Sequence, residues 1–393
     1  MSSQGARALR NRAVVYVVDT FAPGSPERAG IAVMNRVARE KIDTFLVAPI
    51  TPEEAAGTFL LCREVFSIPE IAPVLTGFFA LHKRIHGFFK LCRLFYDLSL
   101  EYTDLVVHTH GHVAGFLGRW AAWAVGVGHT VHTVYQFSFG PYMPAYRWWM
   151  AYIAEYMTAW ITSEYICFNT KDRALGIRLF PYFSKRCAVI SAGVDWQQFY
   201  TPEPVGSSAR LPVSPIVIGT ILETGVTQKE SVFTFLSLVE KLSALGVPIR
   251  GELIGDGSWR WEVTQWLMER GLAENVQILG WQAQTASVIK TWHVFVHCSL
   301  IDTPAVGAVQ ARLSWVPVVA YHTAGIDEMM KNEKNALLVA PGDVTALFKA
   351  IYRVIIDRAL YERLATYQEN LHDYSETAVC ARHVKLYKNI AGE

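Results

Sequence analysis

Short apolar runs alternate with helical stretches along almost the whole chain. Runs at 13–18, 44–48, 105–109, 130–134, 165–168 and 188–191 read as strands. A segment rich in Pro, Gly and Ser, 201–215, then interrupts the pattern and reads as a linker. Beyond it the alternation resumes, with strands expected at 216–221, 250–254, 276–279, 294–296 and 318–321. Strand-helix alternation in both halves predicts two Rossmann-like α/β domains, each built on a parallel sheet. The expected bounds are 1–200 and 214–375, with the linker at 201–213. Residues 344–393 read as wholly helical. Ligands of such sheets bind at strand carboxyl ends, so a cleft between the two domains is the default site.

One helix has a mixed surface. Over 74–98, Phe78, Leu81, Ile85, Phe88, Cys92 and Phe95 fall on one stripe, and Lys83, His86, Lys90 and Arg93 fall opposite. A basic amphipathic helix has two readings. Its apolar stripe packs on the sheet and its basic face meets water, or Lys83, Lys90 and Arg93 meet a membrane surface.

Composition narrows the classes. At 393 residues the chain exceeds one small core, and 51% hydrophobic content argues against disorder. A net charge of +1 gives no basic excess for nucleic acid. The six cysteines are scattered without a CxxC pair and read as reduced thiols of a cytosolic protein. The basic start runs straight into AVVYVVDTF, which is strand-like rather than a signal peptide, and no uncharged run is long enough to span a bilayer.

The densest motif is WHVFVHCSLIDTPAVGAVQARLSWVPVVAYHTAGIDEMMKNEKNALLVAPGD. A strand ends in the loop 299–303, with Thr303 a fitting N-cap and Pro304 a fitting first helical residue. A helix over 305–313 and a strand over 317–321 follow. This layout resembles the nucleotide-sugar site of retaining family 4 glycosyltransferases, which carry one Glu in the loop and a second eight residues on. Asp302 and Gln310 stand at those positions here.

The resemblance extends over roughly 13–390 and implies the two-domain fold called GT-B, with the last helix returning to the N-terminal domain. Gly24-Ser25-Pro26-Glu27-Arg28 resembles the family's Gly-Gly-Ala-Glu-Arg loop, where small residues let backbone amides approach a phosphate. Seen alone, that loop is equally an ordinary strand-helix turn. His108-Thr109-His110 ends a strand and is expected on the acceptor side, with a metal role set aside because the family needs none. Thr133-Val134-Tyr135-Gln136-Phe137 resembles Thr-Val-His-Gly-Phe, so Tyr135 replaces the family His that approaches the reacting sugar. Tyr135 keeps a hydrogen-bond donor but carries no positive charge.

Further matches follow in order. Gly193-Val194-Asp195 matches the Asn-Gly-Val-Asp segment, with Ala192 in place of Asn. GTILETGVTQKES resembles the donor-phosphate loop. Lys229 matches its Lys, while the Arg position falls on Glu223 or Thr224. LIGDGS contributes Gly255, and VQILGW contributes Gly280 and Trp281 beside the base. Gly325-Ile326-Asp327-Glu328 resembles Gly-Gly-Ile-Pro-Glu, and Trp315 stands where the family has a helix-ending glycine.

The resemblance implies roles. Lys229 and the amides near Thr303 would neutralise the leaving phosphate. Asp302 would hold sugar hydroxyls and the developing positive charge, and Gln310 would face the ribose. Each residue alone also has an ordinary role: a capping Asp302, a solvated Gln310, a surface Lys229. The leading expectation is a glycosyltransferase that uses a UDP- or GDP-linked sugar as co-substrate, with no other cofactor and no metal. It would act with retention on a glycan or lipid-linked acceptor, in polysaccharide or surface-glycan assembly, at the inner face of the cell membrane. The departures at the donor side keep a second expectation open: a transferase-like scaffold for an active transferase partner. A third is a nucleotide-sugar enzyme of other chemistry, an epimerase or a phosphorylase-like activity.

Overall fold

The computed structural model describes residues 10–21, 27–56, 60–73, 79–135, 137, 145–180, 182–183, 186–201, 214–222, 229–300, 305–367, 370–390 and 392. The chain forms two compact units. One comprises Met1–Gly193 with Glu376–Glu393, and the other Val194–Ser375. The passage from the first to the second lies ahead of the Pro/Gly/Ser-rich segment, most of which lies outside the described residues.

The first unit runs β1 (Arg10–Val18), α1 (Glu27–Arg39), β2 (Asp43–Ala48), α2 (Pro52–Ala56), β3 (Glu64–Ser67), α3 (Phe79–Ser99) and β4 (Tyr102–His110). It continues with α4 (His112–Ala124), β5 (His129–Val134), α5 (Ala145–Ala159), β6 (Glu164–Cys167), α6 (Thr170–Leu179) and β7 (Cys187–Val189). The second unit holds α7 (Trp196–Phe199), β8 (Ile216–Ile221), α8 (Lys229–Ala244), β9 (Ile249–Ile254), α9 (Arg260–Glu269), β10 (Val276–Gly280) and α10 (Thr285–Ile289). Then come β11 (Val294–His297), α11 (Val306–Leu313), β12 (Val318–Tyr321), α12 (Ala324–Met329), β13 (Ala336–Val339), α13 (Val344–Ile356) and α14 (Arg358–Thr366). α15 (Glu376–Ile390) belongs to the first unit.

Both sheets are wholly parallel, as the alternation predicts. Their orders are β3-β2-β1-β4-β5-β6-β7 and β10-β9-β8-β11-β12-β13. In each, helices cover both faces, so central strands are apolar on both sides. In the first unit Val14, Tyr16 and Val18 pack under α1 and α15, through Met34, Val37, Val379 and Tyr387. On the other face Ala13, Val15, Val17 and Val107 pack under α3 and α4, through Leu91, Phe95, Ala114 and Ala121. α5 continues that second layer, with Trp148, Ala151 and Tyr152 against Val134, Tyr165 and Cys167. The register sets Thr109 beside His132 and His132 beside Tyr165, so these side chains share the sheet face of Val107.

Two expectations of the sequence are corrected here. The apolar stripe of α3 does not pack as one face: Phe95 is buried, whereas Leu81 and Ile85 are exposed. The buried face is turned toward Leu91, Phe95 and Leu98, so the stripe straddles the edge of the contact. Residues 344–393 are not wholly helical, because an extended segment and a 3-10 turn (His372–Tyr374) separate α14 from α15.

Trp315, at the expected helix-ending glycine, keeps the glycine-like conformation at φ 62°. A side chain there costs about 1 kcal/mol. Its indole N–H donates to the Thr201 carbonyl at 2.7 Å, which offsets part of that cost.

Candidate functional site

The second sheet reverses its winding between β8 and β11. β8 leads through α8 to one side and β11 leads through α11 to the other. The loops after these two neighbours therefore diverge, and the sheet opens a crevice at their carboxyl ends. Lys229 begins α8 after the β8 loop, and Gln310 sits half-buried in α11 after the β11 loop. Asp302, Thr303 and the whole segment 223–228 lie outside the described residues.

The same edge carries the glycine pair. Gly255 follows β9 at φ 136°, and a Cβ there would lie 2.0 Å from the Leu222 carbonyl oxygen. Only glycine permits that approach. Its amide donates to the Gly280 carbonyl at 2.9 Å, which ties the ends of β9 and β10 together. Trp281 comes next and is 55% exposed, a residue with a flat apolar ring suited to a planar ligand. Glu328 is exposed on α12, and its carbonyl accepts from the Tyr374 hydroxyl at 3.1 Å.

Lys229 is not idle. Its ammonium lies 2.6 Å from Glu262 Oε2, in a pair whose partners are each about half exposed. Exposed pairs of this kind are worth about 0–1 kcal/mol, so Glu262 holds Lys229 only weakly.

In the first unit, the switch point lies between β1 and β4. Gly24 and Ser25, in the loop after β1, lie outside the described residues. Asp19 directly follows β1 and accepts from the Val113 amide at 2.9 Å, at the N-terminus of α4. Burial raises its carboxyl above the ordinary value, against the α4 amides, which oppose that shift only in part.

His108 and His110, both from β4, have different surroundings. His108 is fully buried, with Nδ1 2.7 Å from the Tyr387 hydroxyl and Nε2 2.8 Å from Thr133 Oγ1. Both nitrogens are used, and burial followed by neighbouring histidines holds it neutral. His108 thus joins α15 to the sheet. His110 is also buried, and burial lowers it to about 3. Its Nδ1 is 2.8 Å from the Tyr135 hydroxyl, and its ring stacks on Tyr16. A Cβ at Gly30 would come within 2.6 Å of that ring, so α1 presses it in place. Half-buried Tyr135 is thus oriented by a neutral imidazole.

Lys83, Lys90 and Arg93 are exposed on α3. Lys90 pairs with Glu70, and Arg93 lies 3.9 Å from Asp97. Among the described residues no group of three His, Cys, Asp or Glu side chains could hold a metal ion.

Three features were missed in the sequence. Arg119 of α4 and Glu155 of α5 form a bidentate pair of 2.8 and 3.0 Å. His383 and Tyr387 of α15 complete the His108 network. The outward face of α5 is apolar. A charged residue within each of two apolar helices was the available signal for the first. Nothing in local spacing announces the second.

Comparison with known proteins follows the same division. Residues 217–357 match the model of the family described as glycosyl transferases group 1. A relative is the Escherichia coli UDP-Gal:alpha-D-GlcNAc-diphosphoundecaprenol alpha-1,3-galactosyltransferase, 25% identical over 79% of this chain and 83% of that one. The lipopolysaccharide core biosynthesis glycosyltransferase LpsD of Rhizobium meliloti is 31% identical over 34% of this chain and 40% of its own. Among solved structures, Anabaena Alr3699/HepE in complex with UDP-glucose superposes with a TM-score of 0.76 at 15% identity, covering 96% of this chain and 99% of that one. The two parallel-sheet units thus have the GT-B type of fold, the second unit is similar over 217–357 to group 1 glycosyl transferases, and the similar curated proteins include glycosyltransferases of bacterial surface glycans.

Proposed function

We propose that the protein transfers a sugar, with retention, from a nucleotide-sugar donor to a lipid-linked or glycan acceptor during surface-glycan assembly, at the inner face of the membrane. The observation that carries this reading is the gathering of Lys229, Gly255, Gly280, Trp281 and Gln310 around the carboxyl ends of one sheet, across its switch point. UDP is the favoured carrier, since the Escherichia coli relative is named for UDP-Gal and Anabaena HepE was solved with UDP-glucose.

In this reading the bond between the sugar carbon and the diphosphate oxygen breaks and the diphosphate takes the electron pair, while the acceptor hydroxyl oxygen bonds that carbon on the same face and gives its proton to the departing diphosphate. Lys229 leaves Glu262 to meet that charge, aided by the amides near Thr303. Asp302 holds the sugar hydroxyls, and Gln310 bonds the ribose. Trp281 packs on the base and Glu328 lies on the donor side. Gly24 and Ser25 are assigned to the donor side. Tyr135, held by His110, donates its hydroxyl toward the sugar. Lys83, Lys90 and Arg93 meet anionic lipid.

The test is a thermal-shift titration with a panel of UDP- and GDP-sugars, followed by transfer to a soluble acceptor analogue. A bound donor stabilises the fold by mass action. Lys229→Ala should weaken binding about tenfold or more, through lost charge-assisted bonds. Asp302→Ala should spare nucleotide binding and cut turnover. Absence of any shift, together with normal glycan output from cells carrying both substitutions, would establish the scaffold reading instead.

A further inference from the structure

α5 is apolar on both of its described faces. Its inner face carries Trp148, Ala151 and Tyr152 into the core. Its outer face carries Trp149, Met150, Ile153, Tyr156 and Met157, exposed by 45% to 67%. Tyr146 extends the row at its start, and Trp160 just beyond its last turn. Their spacing of three and four residues makes one continuous stripe. Every exposed side chain described on this helix is apolar or aromatic, and its one described carboxylate, Glu155, is turned inward onto Arg119.

The stripe does not stop at α5. Trp160 packs edge-on against Trp120 and Trp123 of α4, at 6.1 and 5.5 Å, and Trp123 is half exposed. α3 belongs to the same helical layer and exposes Leu81, Ile85 and Phe89. An apolar surface of this breadth costs free energy in water and marks a contact.

We propose that this α3–α4–α5 layer is a membrane seat, with the aromatic face of α5 inserted at the headgroup–acyl boundary of a lipid bilayer. Three observations select lipid. Trp and Tyr dominate the stripe, and these rings suit an interface that is apolar on one side and wet on the other. The four cations of α3, Lys83, Arg84, Lys90 and Arg93, outnumber the two carboxylates beside them, Asp97 and Glu70, so the flank of the seat keeps a positive excess complementary to anionic headgroups. A second copy of the chain would bring the same cations instead of counter-charge. No described helix is long and apolar enough to cross a membrane, so attachment would be from one side. The inference deepens the membrane contact of the proposed function: it assigns insertion to α5 and leaves electrostatic attraction to α3.

The test uses the full chain and needs neither donor nor acceptor, so it stands apart from the transfer assay. Vesicles of phosphatidylcholine alone and of an equimolar mixture with phosphatidylglycerol are floated with the protein at low and high salt. Tryptophan emission is followed with brominated acyl chains in the bilayer. Binding with strong quenching is expected. The triple variant Trp149→Ser, Ile153→Ser, Tyr156→Ser should partition about tenfold or more weakly at both salt levels, with an unchanged melting temperature. Reversing Lys83, Lys90 and Arg93 to Glu should remove only the salt-dependent part. No quenching, or wild-type partitioning of the triple variant, overturns the proposal. So does a concentration-dependent dimer that the triple variant abolishes while vesicle binding persists.

Discussion

The Arg119–Glu155 pair offers a sharp energetic test, because it can be sized in two ways. Arg119 is about 1% exposed. Its guanidinium meets Glu155 through both arms, the Gly115 carbonyl at 2.8 Å and the Tyr165 hydroxyl at 3.0 Å. Burial alone would raise the Glu155 carboxyl, but the guanidinium beside it brings it from 4.5 down to about 2. A shift of that size corresponds to about 3 kcal/mol of stability at neutral pH. Removing one partner of a buried pair independently costs about 3–5 kcal/mol, because the remaining charge is left unpaired. Glu155→Gln should therefore lower the calorimetric transition of the first unit by about 10 °C. The sign with pH is fixed. A depressed carboxyl stabilises above its unfolded value and loses that contribution as pH falls toward the folded one. The gap between wild type and variant should thus narrow by roughly 1 kcal/mol at pH 4. The double variant Arg119→Met, Glu155→Met should be much less damaged than either single one. A fall of under about 2 °C, or a double variant as weak as the single, would refute this account of how α5 is held to the sheet.

The buried histidines predict acid sensitivity of the first unit: His110 and His383 are lowered by burial to about 3 and about 4. Unfolded imidazoles take protons below 6.5 and these do not. Each therefore costs about 2 kcal/mol by pH 5. Glu164, raised by burial to about 7, opposes them in part. His383→Leu should flatten the fall of melting temperature between pH 7 and pH 5, read by differential scanning calorimetry. In the second unit, Gly219→Ala would set a methyl 1.9 Å from the buried Trp292 ring, which also donates to Glu252 at 2.9 Å. It should destabilise by about 1–3 kcal/mol in urea titration, and an unchanged midpoint would mean the ring can move.

Much of the fold was legible because its signal is local. Central strands covered on both faces are continuous apolar runs, and β1, β4, β8 and β12 announce themselves that way. β3 and β13 did not. β3 is a four-residue edge strand whose only apolar residues are the adjacent Val65 and Phe66, and β13 lies inside a turn-rich stretch that reads as loop. Side-chain environment was harder to read. Alternation says that His108 and His110 share a face, but only α15, contributed by residues far along the chain, decides that His108 is covered. The periodicity of α5 is apolar on both sides, so it could not tell which aromatic face the sheet takes. The glycines were plain, since a strand-ending Gly in LIGDGS or VQILGW reflects a backbone demand that sequence states directly.

The return of α15 to the first unit sets an order of biosynthesis. The second unit is one unbroken segment and has all its parts once Ser375 leaves the ribosome. The first unit, although made earlier, waits for Val379, Cys380 and Tyr387 to cover Val14 and Tyr16. Until then an apolar sheet face and the polar network of His108 stand open. The half of the molecule translated first is therefore the half completed last. A nascent chain stalled before Glu376 would present its unfinished surface to chaperones, and emergence of α15 would close it.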